Sequence, residues 1–378
     1  MENIKVLQIG YGSLANGGIQ AVIMGIVRNL KNEIDFDVLL FSKKNAVYDL
    51  EFQKYGEIYR IPCDKTGYKL VDVIENITRP FRSFFSTYKI LKKNNYEVVH
   101  CHNGAESGIS LLAAKLAGVP IRICHSHNTA TPEMKTKSSK IYKRLTKSLI
   151  NANATVRIGC SAEANDHLFG NKVDSIVINN AINLNEYDKT KFDNEIKASS
   201  DITFVHVGRF GFQKNQLFLI DIYKKIQEIL PNTKLNLVGF GEEKKLVLQK
   251  IENENLSTYV NILPHDSNLP KLLHESDYFI FPSQSEGLGI VLVEAQAMGV
   301  KCFASTAVPI ESNLGLCTYL PLSIGAEEWA KTIVDYIEKH PNNKKTNVPP
   351  EILARYDIKK IAKKYKRIYK GCRYIEES

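Results

Sequence analysis

Apolar positions arrive in short runs, most of them closed by glycine or a polar cluster. The first run, Lys5–Ile9, ends at Gly10. From Ile19 the spacing changes. Ile19, Val22, Ile23, Ile26 and Leu30 share one side of a 3.6-residue period and predict a helix over Ile19–Asn29. Phe36–Phe41, Glu97–His100, Ile121–Cys124 and Thr155–Ile158 read as further strands, separated by helical stretches such as Ser107–Ala117. Strand and helix alternating at this rhythm predict a parallel sheet covered on both faces.

The pattern then restarts. Ile202–Val207 is a fresh strand ending at a glycine, Gln216–Leu230 is helical, and Lys234–Val238 is again a strand before glycine. Asp277–Phe281 and Lys301–Ala304 continue the sheet. Between the halves, the polar segment Asn183–Ser200 reads as linker. The expectation is an α/β chain with domains at 1–182 and 183–356, and a terminal segment 357–378. Its helix, Ile358–Tyr374, precedes no strand and is expected to pack across the junction. Two doubly wound domains of this kind present the carboxyl ends of their strands to a central cleft, where ligands bind.

Composition adds the partner class. The chain has 378 residues, 44% of them hydrophobic and 24% charged, which is ordinary for a folded two-domain protein. No apolar run approaches the ~18 residues of a membrane span, and MENIKVLQIG lacks the layout of a signal peptide. Seven scattered cysteines without a CxxC read as free thiols in a reducing, cytoplasmic setting. The net charge of +9 points to an anionic partner.

Candidate chemistry concentrates in Phe281–Ala297, FPSQSEGLGIVLVEAQA. In Gly287-Leu288-Gly289 the two glycines let the backbone approach a ligand, and the helix that follows starts with free N–H groups. Glu286 in the loop can meet a sugar, and Glu294 in the helix can accept from ribose hydroxyls. The plainer reading, two solvated acids, is weakened by the apolar neighbours Val293 and Ala295.

Here the chain resembles a known family. Glu286 and Glu294, after PSQSEG, look like the E-x7-E motif of the retaining glycosyltransferase family 4. HVGRFGFQKN (His206–Asn215), LVGFG (Leu237–Gly241) and VINNAIN (Val177–Asn183) are similar to further family stretches, with Ala181 where glycine is usual and Asn183 where aspartate is. Gly17-Gly18 resembles its N-terminal diglycine. The resemblance implies the GT-B fold, two Rossmann-like domains facing a cleft, the first binding acceptor and the second a nucleotide-sugar. Arg209 and Lys214 match the basic pair on the donor diphosphate; fixed cations there stabilise the charge that departure of the diphosphate builds. Gly208 and Gly239 would line the donor side with Gly17, Gly18, Glu286, Gly287, Leu288, Gly289 and Glu294. The resemblance further implies transfer with retention, without bound metal or cofactor and without a covalent nucleophile, the leaving phosphate assisting deprotonation of the acceptor.

Two His-x-His pairs, His100/His102 and His125/His127, each end a strand, so i and i+2 share a face. Four converging imidazoles would admit a metal ion, although no Asp or Glu accompanies them closely. The family places a histidine on the strand after GVP, and His127 fits that register better than His125, which is expected to pack in the core or to support the site from behind. His102 and Asn103 are expected on the acceptor side, with Asn128 beside them. HSHN (His125–Asn128) resembles the subgroup that builds bacterial exopolysaccharide and capsule.

Two look-alikes are set aside. Gly10–Ala15 spells G-x-G-x-x-A after a strand, but Asn16-Gly17-Gly18 intervene before helical periodicity begins, and no acidic residue closes the second strand. Asp35-Phe36-Asp37 is a D-x-D at the opening of a strand, and reads as structural.

The charge itself lies in Lys135–Lys147 and in Thr78–Lys93, where Arg79, Arg82, Lys89, Lys92 and Lys93 accompany Phe81, Phe84, Phe85 and Tyr88. Basic residues beside aromatics suit an anionic bilayer surface; a solvated cationic helix is the plainer reading. No nucleic-acid motif accompanies them. The expectation is therefore a peripheral enzyme of the inner membrane face, taking a UDP-sugar donor and a lipid-linked saccharide acceptor. Its rivals are a metal-dependent hydrolase using the histidines, a nucleotide-sugar-binding protein without turnover, and a UDP-sugar epimerase of the same architecture.

Overall fold

The structure is a computed structural model. It describes residues 3–10, 12–15, 17–63, 69–129, 137–192, 201–341 and 345–372, with residues 69–77 and 137–138 described by their helical backbone alone. The chain forms two compact units, Met1–Ala181 together with Ile358–Ser378, and Ile182–Asp357.

The first unit runs β1 (Ile4–Gly10), α1 (Gly18–Leu30), β2 (Ile34–Leu40), α2 (Asp49–Phe52), β3 (Ile58–Arg60), α3 (Lys69–Asn94), β4 (Val98–Cys101), α4 (Ser107–Ala117), β5 (Ile121–Ser126), α5 (Lys137–Asn153), β6 (Val156–Gly159), α6 (Ala162–Phe169) and β7 (Ile176–Val177). Its strands pair in parallel, in the order β3-β2-β1-β4-β5-β6-β7. The order reverses between β1 and β4, where the connecting loops diverge.

The second unit repeats the scheme: β8 (Ile202–Val207), α7 (Gln216–Ile229), β9 (Thr233–Val238), α8 (Lys244–Asn253), β10 (Val260–Leu263), α9 (Leu269–Glu275), β11 (Tyr278–Phe281), α10 (Ile290–Ala297), β12 (Lys301–Ser305), β13 (Cys317–Leu320), α11 (Gly325–Lys339) and α12 (Pro350–Leu353). The order β10-β9-β8-β11-β12-β13 reverses between β8 and β11.

Each sheet is sandwiched. In the first unit Val22, Ile23 and Ile26 of α1 cover one face, and Leu91, Leu111 and Ile150 of α3, α4 and α5 cover the other. In the second, Tyr223 of α7 and Trp329 of α11 lie on one face and Leu292 of α10 on the other. The Trp329 indole donates to the Pro321 carbonyl at 3.0 Å, so its polar edge is satisfied in the core.

The last helix, α13 (Ile358–Tyr369), belongs to the first unit and packs on α1. Its buried face is Ile358, Ile361, Ala362, Tyr365, Ile368 and Tyr369, while its lysines face outward. The described helix ends at Tyr369, short of the expected Tyr374, which lies outside the described residues.

The linker reading of Asn183–Ser200 is half corrected. Residues 193–200 lie outside the described residues, but Tyr187 and Phe192 pack against the second unit's core. Polar composition hid two aromatic anchors. The spacing also gave no sign of β3, β7, β10 and β13, which are edge or next-to-edge strands of two to four residues.

Asp37 has the structural role expected of it. Its carboxylate accepts from the Tyr96 hydroxyl at 2.5 Å and from the Glu57 backbone N–H at 2.7 Å, inside the first unit. All seven cysteines are free thiols.

The His-x-His pairs do converge. His100 and His125 stack with ring centroids 5.4 Å apart, and His125 and His127 lie 4.0 Å apart. Burial holds His100, His102 and His125 well below the ordinary histidine range, and holds His127 at about 3. These rings fold neutral. Once the pH falls below about 6.5, the unfolded chain takes up protons that the native unit refuses, and stability falls with pH. The limiting slope is on the order of 1.4 kcal/mol per pH unit for each ring. Hydrogen exchange of the first unit's core amides should therefore accelerate steeply between pH 6.5 and 5. Protection that holds level across that window, after correction for intrinsic exchange, would contradict the neutral cluster.

Candidate active site

In the second unit the site forms where the sheet order reverses. The loops leaving β8 and β11 are laced together by four hydrogen bonds. The Gln213 side chain donates to Ser285 O at 2.8 Å and the Asn215 side chain to Pro282 O at 3.1 Å. The Gln284 N–H donates to Gln213 O at 2.8 Å, and Lys214 Nζ donates to Glu286 Oε1 at 2.7 Å.

Lys214 is held on three sides. Its ammonium lies 4.4 Å from the centre of the Phe281 ring, and its stem runs beside Gly208, where a Cβ would meet Lys214 carbons at 2.9–3.0 Å. Glycine at 208 is what gives this stem its path. Gly239 has a φ of +153°, and a Cβ there would strike Gly208 O at 2.1 Å, so the ends of β8 and β9 approach only as glycines. Gly289 caps α10 with a φ of +80°. Leu288 is buried beneath the loop.

The basic pair is split. Lys214 turns inward to buried Glu286, whereas Arg209 is 68% exposed and donates to Glu242 at 2.9 Å. An exposed pair of this kind is worth about 0–1 kcal/mol and exchanges partners readily. His206 sits beneath, its Nδ1 donating to Ile280 O at 2.9 Å, with its pKa lowered to about 4 by burial. Gln216 ties the Arg209 carbonyl to this histidine.

Glu294 lies little more than one turn into α10, which begins at Ile290. Burial pushes its carboxyl up to about 7, against a hydrogen bond donated by Tyr187. Both Tyr187 and Glu186, which faces the same carboxylate, come from the segment that composition assigned to linker.

In the first unit the corresponding loops follow β1, β4 and β5. Gly17 precedes α1 and Gly18 opens it; a Cβ on Gly18 would meet nothing within 4 Å, whereas one on Gly17 would meet Gln20 Oε1 at 2.7 Å. Helix α1 begins only at Gly18, beyond the G-x-G-x-x-A stretch, as the dinucleotide reading was rejected for. Asn103 carries a buried Oδ1 without a hydrogen-bond partner, and it lines a pocket with Arg79, Glu106, Ser110 and Tyr142. Asn128 is exposed just past β5.

His102 departs from its expected place among acceptor contacts. It is 2% exposed and both its nitrogens are engaged, Nδ1 with His127 Nε2 and Nε2 with Gln8 Oε1, each at 2.8 Å. It stands behind His127. His127 keeps one nitrogen, Nδ1, buried without a partner.

Candidate metal-ligand atoms of His100, His102 and His125 lie within 4.8 Å of one another. Hydrogen bonds occupy both nitrogens of His102, and the Tyr369 hydroxyl lies 2.8 Å from His100 Nδ1, while His100 Nε2 and His125 Nε2 are buried without a partner. The cluster as folded is a hydrogen-bonded network. Gln8, Tyr369 and Tyr187 escape sequence reasoning because each joins its partner only through the folded sheet.

Comparison with known proteins identifies the family. The model described as Glycosyltransferase Family 4 matches residues 16–186, and that described as Glycosyl transferases group 1 matches residues 188–313. A putative glycosyltransferase EpsF of Bacillus subtilis (strain 168) is 30% identical over 345 residues, 87% of this chain and 86% of that protein. The UDP-Gal:alpha-D-GlcNAc-diphosphoundecaprenol alpha-1,3-galactosyltransferase of Escherichia coli is 28% identical over 80% of this chain and 79% of its own. The capsular polysaccharide biosynthesis glycosyltransferase CapH of Staphylococcus aureus is 27% identical over 97% and 98%. Among solved structures, Anabaena Alr3699/HepE in complex with UDP and glucose matches with a TM-score of 0.77 at 18% identity, covering 98% of this chain and 100% of that one, which establishes the shared fold. Two Rossmann-like units with these loops and these relatives leave one assignment: the chain belongs to glycosyltransferase family 4 and is a glycosyltransferase of the GT-B fold.

Proposed function

We propose that this glycosyltransferase moves a sugar, with retention and without a bound metal, from a UDP-sugar to a lipid-linked saccharide during synthesis of a bacterial capsule or exopolysaccharide. The observation that carries the reading is the buried Lys214–Glu286 pair at the reversal of the second sheet. A nucleoside diphosphate leaving group gains negative charge as the glycosidic bond breaks. A preorganised ammonium held in a largely desolvated loop stabilises that charge without waiting for solvent to reorganise. Lys214 supplies it, Arg209 leaves Glu242 to join it, and Glu286 orients the lysine and meets the sugar.

Glu294 takes the ribose hydroxyls. In the first unit Gly17 and Gly18 admit donor phosphate or acceptor at the start of α1. His127 stands by the donor sugar, and Asn103 and Asn128 line the acceptor side. No side chain is assigned as a nucleophile; positioning and charge stabilisation carry the rate. The choice of UDP follows the Escherichia coli galactosyltransferase and the UDP-bound structure, and the lipid-linked acceptor follows the former.

The membrane side of the proposal rests on the first unit's helices. Phe81 and Phe85 on α3 are 67% and 63% exposed, and Ile141 and Leu145 on α5 are 61% and 59% exposed, interleaved with Lys140, Lys143 and Arg144. Exposed apolar anchors among cations suit an anionic bilayer surface at the cytoplasmic face. Among the described residues no helix is long and apolar enough to cross a membrane. Of the stretch Lys135–Lys147, Lys135 lies outside the described residues.

Three outcomes test the reading. Lys214→Ala should lower kcat by about 100-fold or more while circular dichroism remains native; normal turnover would remove the assignment. Release of nucleoside diphosphate from one nucleotide sugar in a panel, with membrane lipid extract as acceptor, should persist in EDTA. Loss there with recovery on adding a divalent cation would reject metal independence. Reversing Lys140, Lys143 and Arg144 to glutamate should abolish sedimentation with anionic liposomes, and unchanged binding would dismiss the patch as an anchor.

A further inference from the structure

The buried polar chain behind His127 has a direction, and that direction determines what His127 offers to a substrate. Its fixed point is Gln8, at the centre of β1. A glutamine amide has one accepting end and one donating end. Its Oε1 lies 2.8 Å from His102 Nε2, and its Nε2 lies 3.0 Å from the Tyr369 hydroxyl. An amide oxygen only accepts, so His102 carries its proton on Nε2. In a neutral ring, Nδ1 is then a lone pair. That Nδ1 stands 2.8 Å from His127 Nε2, so His127 must donate through Nε2. Its remaining nitrogen, Nδ1, is left as an acceptor, and like His100 Nε2 and His125 Nε2 it is buried without a partner.

The other half runs the same way. Tyr369 accepts from the amide and can donate its own proton to His100 Nδ1, 2.8 Å away, which places the His100 proton on the buried, unpartnered Nε2. Every proton from His127 through His102, Gln8 and Tyr369 to His100 points along one line. Three strands or strand ends and the last helix contribute to it, all within the first unit.

We propose that Gln8, His102 and Tyr369 are positioning residues that lock His127 in one tautomer, Nε2 protonated and Nδ1 presented as a hydrogen-bond acceptor for a hydroxyl of the transferred sugar. The proposal rests on the placement of His127 beside the donor sugar given above. A donor substrate with a hydroxyl at that position would satisfy the orphaned nitrogen; one whose hydroxyl is replaced by hydrogen would leave it unpaired, at a loss of about tenfold or more in kcat/KM. The tyrosine comes from α13, which makes the C-terminal helix part of the support behind His127.

The test is long-range 1H–15N correlation spectroscopy on the full chain with 15N-labelled histidine. His102 and His127 should both report protonated Nε2 and bare Nδ1. In Gln8→Met, which keeps bulk and removes the amide, both rings should relax to a tautomer mixture, and kcat should fall about tenfold with the KM for the donor little changed. Tyr365→Phe, on the same buried face of the same helix, should leave both tautomers in place. A proton on Nδ1 of His102 or His127 in the unaltered protein would overturn the proposal, and this spectrum decides even if Gln8→Met fails to fold. Unchanged tautomers in Gln8→Met would equally overturn it. Expected tautomers with full turnover in both Gln8→Met and His127→Ala would reject the placement of His127 at the donor sugar, while the hydrogen-bond chain itself would stand.

Discussion

Parallel strands cannot be joined by tight turns. Each must be followed by a crossover, and covering both faces of the sheet requires the strand order to reverse somewhere. In this chain the reversal falls between β1 and β4 in one unit and between β8 and β11 in the other. Everything with chemical interest follows from those two places. The loops on either side turn away from each other there, so backbone and side chains are exposed at the carboxyl ends of central strands while their stems stay buried. Lys214 and Glu286 meet because β8 and β11 are neighbours, not because their numbers are close.

The same geometry explains why so much polar chemistry is buried. Central strands of a doubly wound sheet lose water on both faces, and a polar group placed there needs a partner. In the second unit the solution is an ion pair and a lattice of side-chain-to-backbone bonds between two loops. In the first it is a chain of neutral groups, with imidazoles, an amide and a phenol joined by hydrogen bonds. Neutral networks avoid the desolvation cost of buried charge, at the expense of acid sensitivity. The two units thus bury polar groups differently, one with a fixed ion pair and one with neutral hydrogen-bonded groups. Glu294 is intermediate: its carboxyl, pushed up to about 7 by burial, is poised between accepting and donating at neutral pH.

Local patterns were legible. Gly18–Leu30 and Ser107–Ala117 follow from apolar spacing because a helix is decided by neighbours three and four residues apart. Phe281–Ala297 was legible as a loop entering a helix because glycine, proline and glutamate have strong conformational meanings. Short edge strands such as Ile176–Val177 were not, since two residues carry no periodicity. Tyr187 was not, since a single aromatic in a polar stretch looks like linker until the core it fills exists.

The sequence by itself determined the alternation of strands and helices, the two-unit plan, and the glycine-rich loops that follow β8 and β11, because each of these is written in spacing over a few turns. Tertiary structure alone decided how those residues are used. It turned Arg209 outward and Lys214 inward, moved His102 behind His127, and brought Tyr369 to Gln8 across 361 positions of chain. Such pairings depend on which strands become neighbours and which helix closes over them, and that is settled by burial of the whole apolar surface rather than by any local stretch.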